Sequence, residues 1–152
     1  MNPKLKSVLA KVFALVGMIA LWAPILFMFL SAVVGSIISK TFLFDYFLLA
    51  ETSLVIVPGL VLLFFASLLA EKYSKWFGWG GALAIVLLVG SQALAFATGL
   101  STGAVPASGP IFITVIAAIV LFNIVVIALA VLSILLVKKL FRRQPEAIPT
   151  AE

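Results

Sequence analysis

Residues 110–143 read PIFITVIAAIVLFNIVVIALAVLSILLVKKLFRR. The first 28 of these, Pro110 to Val137, carry no charge, and four of the next six are Lys or Arg. A bilayer core about 30 Å thick is crossed by a helix of about 20 apolar residues rising about 1.5 Å each. The stretch therefore reads as a membrane span ending in a cationic anchor. Working outward, three more such runs lie near residues 10–38, 48–70 and 78–99. The expected fold class is an all-α integral membrane protein, a four-helix transmembrane bundle forming one domain over residues 1–143. Residues 144–152, with Pro145 and Pro149 after a basic cluster, read as a disordered tail.

Composition closes off the alternatives. Hydrophobic residues make up 65% of the 152-residue chain, charged residues 10%, and the mean hydropathy is +1.37. Soluble domains hold about 25% charged residues, so a soluble fold is excluded. The chain has no Cys and no His. It offers no thiolate or imidazole metal ligand, no Cys nucleophile and no His base, and no cofactor is expected. The first apolar run, Val12 to Ile38 behind Lys4, Lys6 and Lys11, is too long for a signal-peptide h-region of about 7–15 residues. It reads as an uncleaved first span.

The cations orient the spans. Lys4, Lys6 and Lys11 precede the first, Lys72 and Lys75 separate the second and third, and Lys138, Lys139, Arg142 and Arg143 follow the fourth; only Lys40 falls on the other side. The positive-inside rule then places both termini in the cytoplasm. Trp76 and Trp79, at the start of the third span, sit where an aromatic belt forms. The compact loops and the basic inner side suit a bacterial plasma membrane. The second outer loop, from Gly99 to Pro110, is rich in Gly, Pro and small polar residues, which is turn chemistry.

Four polar residues are candidates for binding a ligand or ion: Asp45, Glu51, Gln92 and Asn123. Acids among aromatic residues are costly to bury and are often retained for function, although both acids lie near the outer end of the second span, where interfacial water and the helix dipole would also account for them. If residues 41–70 are one helix, six residues separate the acids and place them about 120° apart. Residues 42–49 could instead form a short interfacial helix, with Glu51, Thr52 and Ser53 capping the span behind it. Gln92 and Asn123 could meet as an interhelical amide pair. Gly81, Ala84, Ser91, Ala95 and Thr98 share one face of the third span and form the expected helix-packing face. Pro58 and Gly59 can kink the second span, and Trp22 and Pro24, inside the first, pose the same question of kinking or packing against a neighbour.

Lys138, Lys139, Arg142 and Arg143 are the expected contacts for anionic inner-leaflet lipid, at about 1 kcal/mol per cation; no nucleic-acid partner is expected. The cluster Gly78-Trp79-Gly80-Gly81 lacks the Lys and Ser or Thr of a phosphate loop, and the chain carries no nucleophile elbow or catalytic carboxylate pair. The expected role is that of a non-catalytic accessory, assembly or regulatory subunit of a larger membrane complex, whose partners are lipids and other subunits or copies of itself. The alternative is a homo-oligomeric transporter or channel using Asp45, Glu51, Gln92 and Asn123.

Overall fold

The computed structural model describes residues 3–39, 52–103 and 108–142. They form four helices: α1 (Pro3–Ser39), α2 (Ser53–Ala70), α3 (Ser74–Ala97) and α4 (Pro110–Phe141). All four are long and apolar enough to cross a membrane. Their ends differ from the expected spans. α1 begins seven residues before residue 10, α3 four residues before residue 78, and α4 runs through Lys138 and Lys139 to Phe141. Hydropathy bounds the apolar run, whereas Lys is a good helix former and lets the helix continue past it.

The helices bury faces spaced by alternate steps of four and three. α1 buries Ala10, Ala14, Gly17, Leu21 and Pro24, while α4 buries Phe122, Val126, Leu129, Ser133 and Leu136. That 3.5-residue repeat is the one that packs helices at shallow left-handed angles. Each helix packs antiparallel on its sequence neighbour, and α4 closes the ring on α1; α2 and α4 also touch across the short diagonal. Leu21, Ile56, Leu63, Phe77, Phe122 and Leu136 fill the core.

A close approach joins α1 to α2. A Cβ on Gly17 would lie 2.8 Å from Leu63 Cγ and 2.9 Å from the Gly59 carbonyl oxygen. One on Gly59 would lie 2.8 Å from Leu21 Cδ1. Gly59 therefore serves this crossing. Pro24 and Pro58 sit inside helices that continue through them.

α2 is the short member, at 18 residues against 37 for α1. With Gly59 set against Ala20 and Leu21, the antiparallel register puts the start of α2 opposite about residue 26. α1 then continues about a dozen residues, or about 18 Å, past it. Thr52 occupies the N-cap of α2 without a side-chain cap bond; its carbonyl accepts from the Val55 and Ile56 N–H groups at 3.0 and 3.1 Å. The expected start of the second span at residue 48, and the segment 42–49, lie outside the described residues.

Candidate functional site

The described cations collect at one end of the bundle. α1 contributes Lys4, Lys6 and Lys11, the α2–α3 turn Lys72, α3 Lys75, and α4 Lys138, Lys139 and Arg142. Among the described residues the one acid is Glu71, which lies in that turn. Its carboxylate accepts from Lys6 Nζ at 2.7 Å, tying α1 to the turn. This hydrogen bond first, and the Lys6 charge second, lower the Glu71 pKa from its ordinary 4.5.

The turn has a specific build. Glu71 adopts the left-handed conformation at φ 54° and closes α2: its N–H donates to Leu68 O and the Lys72 N–H to Ser67 O. That is the Schellman pairing, made without glycine. Tyr73 is left-handed too, at φ 61°. Lys139 Nζ lies 5.3 Å from the Tyr73 ring centroid, and Lys11 Nζ lies 5.5 Å from that of Phe141. Three cation contacts thus lace α1, the turn and α4 together. At exposed positions each cation–π contact contributes about 0.5–1 kcal/mol.

Of the candidate ligand residues, Asp45 and Glu51 lie outside the described residues. Gln92 is exposed on α3 and Asn123 is half-buried on α4. Gly80 meets Leu129, and from that contact the antiparallel register sets Gln92 opposite about residue 117, about 9 Å along the axis from Asn123. The expected amide pair is therefore separated by its register.

The expected packing face is placed unevenly. Gly81, Ala84 and Ser91 are buried, and Ala95 and Thr98 half-buried. The tight contact with α4 is made at Gly80, whose Cβ would lie 2.8 Å from Leu129 Cδ2, whereas a Cβ on Gly81 would meet nothing within 4 Å. Gly81 fronts a cavity of about 210 Å³ between α2 and α3, lined also by Leu60, Phe64 and Phe77. Phe77, buried one turn before Gly81, spaces the helices there.

Four hydroxyls bond locally rather than between helices. Ser67 donates to Phe64 O at 2.7 Å, Ser91 to Leu88 O at 2.9 Å, Thr98 to Leu94 O at 2.7 Å and Ser133 to Ala130 O at 2.6 Å, all within their own helix. Within the apolar part of the bundle a polar contact between helices is made by Trp22, whose Nε1–H donates to the Ala130 carbonyl of α4 at 3.1 Å. This is why an aromatic with a polar edge can stand within α1.

A second opening lies between α3 and α4 at the basic end. It has a volume of about 700 Å³ and is lined by Lys75, Trp76, Trp79 and Leu83 on one side and Val125 and Ala128 on the other. Lys138, Lys139 and Arg142, the expected lipid contacts, are exposed at the same end, and Arg143 lies outside the described residues. Sequence reasoning missed three features: Glu71 as the ionic partner, the Gly17 crossing, and this groove. The Ala10, Ala14, Gly17 spacing was a signal for the second, and the lone acid between Ala70 and Lys72 was one for the first. Against protein-family models, curated proteins and solved structures, the chain has no match.

Proposed function

We propose that this chain is a four-span integral membrane protein with both termini and the α2–α3 turn on the cytoplasmic side. In this reading it is a non-catalytic accessory or assembly subunit of a larger complex in a bacterial plasma membrane. The orientation is supported by the eight described cations at one end of the bundle, since cytoplasmic loops carry the excess of Lys and Arg.

The subunit role rests on one observation, the mismatch in helix length. The apolar runs Val12–Ile38 and Ile111–Val137 hold 27 residues each, about 40 Å of helix against a core of about 30 Å. Tilt alone would need about 41°, the extreme of the range seen for membrane helices. α2 spans only 18 residues, about 27 Å. Beyond its start, Leu30, Val34, Ile37 and Ile38 of α1 are all more than half exposed. An apolar flank that outruns the bilayer is stabilised by protein laid against it, and a companion subunit supplies that protein.

The test is native mass spectrometry of the protein extracted from its own membrane at natural abundance in lipid-preserving particles. A stoichiometric foreign subunit is expected. A pure homo-oligomer would overturn this reading in favour of a transporter or channel, and a lone monomer would overturn both.

A further inference from the structure

We propose that the α3–α4 groove at the basic end binds one anionic phospholipid of the leaflet on that side. Its acyl chain lies between the helices and its phosphate against Lys75. The proposal rests on the chain being membrane-embedded but is independent of its role as a subunit.

Three observations carry it. The first is the sequence of chemistry along the groove. Lys75 stands at the mouth, Trp76 and Trp79 follow at 71% and 80% exposure, and beyond them Leu83, Val125 and Ala128 are apolar. Cation, amphipathic ring and hydrocarbon succeed one another in the order that headgroup, interface and acyl chain do. The second is size. From Lys75 to Leu83 the groove follows eight residues of α3, about 12 Å, close to the half-thickness of about 15 Å that one leaflet contributes. Its volume of about 700 Å³ falls in the ligand-site range of about 300–1,000 Å³. Gly80 closes the floor, because its missing side chain lets Leu129 of α4 reach the α3 backbone.

The third is charge complementarity. Among the described residues no acid lines the groove. Glu71, the one acid among the described residues, is engaged by Lys6 of α1, and α1 does not pack on α3. The field at the mouth is therefore that of Lys75 with Lys72, Lys138 and Lys139 at the same end, which favours a phosphate carrying net charge over a zwitterionic headgroup. A partner helix would find a cleft of about two helical turns with one cation, too short for an extended interface.

The experiment is a lipid titration of the purified full chain in mild detergent, followed by native mass spectrometry. It compares phosphatidylglycerol with phosphatidylcholine of identical acyl chains. Wild type should retain the first phosphatidylglycerol about fivefold more tightly, the value of one surface cation. Lys75→Gln should abolish that preference while Lys75→Arg keeps it. Ala128→Phe, which fills the groove from an exposed position, should lose the first lipid of either kind, and Lys4→Gln, on α1, which does not pack on α3, should leave it in place. Equal retention of the two lipids by wild type overturns the proposal. So does a preference that survives Lys75→Gln, or a second protein chain occupying the groove without lipid. Far-UV circular dichroism of each variant separates loss of the lipid from loss of the fold, and resistance of the native protein to alkaline carbonate extraction tests membrane embedding separately.

Discussion

Alanine at Gly17 should destabilise the bundle by about 1–3 kcal/mol relative to alanine at Gly90, the usual range for overpacking. The comparison is chosen because both glycines lie inside helices, so the gain of about 0.5–1 kcal/mol from removing a helical glycine is common to both and cancels. A new Cβ on Gly90 meets nothing within 4 Å. On Gly17 it falls 2.8 Å from Leu63 Cγ and 2.9 Å from a backbone carbonyl of α2, neither being the free end of a flexible side chain. Restoring ordinary contact requires α1 and α2 to part by about 0.5 Å, which forfeits about a quarter of each contact across the seam. Leu63 is fully buried, and such a side chain makes about 40–60 contacts of about 0.1–0.2 kcal/mol. If half of them face α1, the loss is about 1 kcal/mol from this residue alone. The assay is equilibrium unfolding in mixed micelles of rising sodium dodecyl sulfate fraction, read by circular dichroism. If Gly17→Ala and Gly90→Ala agree within about 0.5 kcal/mol, the scatter of neutral surface changes, the close-crossing argument is wrong.

Trp22→Phe should cost about 0.6–1.5 kcal/mol in the same titration, the value of an interhelical hydrogen bond, and an unchanged midpoint would show that the contact with Ala130 contributes nothing. Lys6 lowers the folded-state pKa of Glu71 from its ordinary 4.5, so its contribution is complete above that value and disappears as the pH falls through the folded-state value. Glu71→Gln should therefore be the less stable protein at neutral pH and match wild type below the carboxylate range, with a gap that shrinks in high salt; a gap that widens on acidification would reverse the sign of the reasoning. The chain has no cysteine, so single cysteines report topology without background. Thr102→Cys should react with an impermeant maleimide in intact cells and Lys72→Cys only after permeabilisation, and the opposite pattern would invert the orientation.

The number of helices and their approximate extents were legible because hydropathy marks them directly, as residues 110–137 show. Which face each helix buries was much harder to read. In a soluble helix the buried stripe stands out against polar neighbours, but here Ile124 and Ile127 are exposed beside buried Val126, and all three are equally apolar. Small residues carry the signal instead. They pointed to Gly81 and Ala84 on α3, yet equally good spacing at Ala10, Ala14 and Gly17 went unread because longer side chains surround it. The contact at Gly80 rather than Gly81 could not be read, since a shift of one residue is a rotation of 100° that only the partner's shape decides. Lys75 was legible as a topological charge. Its place at the mouth of a groove depends on Val125 and Ala128, fifty residues away.

Ser67, Ser91, Thr98 and Ser133 each close their hydroxyl on a carbonyl of the same helix. Every one of these groups is therefore satisfied as soon as its own helix forms, in whatever order the helices come together. Trp22 differs, because its acceptor is Ala130 of α4. α1 carries a donor whose partner on α4 is synthesised after it, and the two meet only when α4 is also present. Release of nascent chains truncated before and after α4 would then divide at the indole of Trp22, whose environment reports whether the ring of helices has closed.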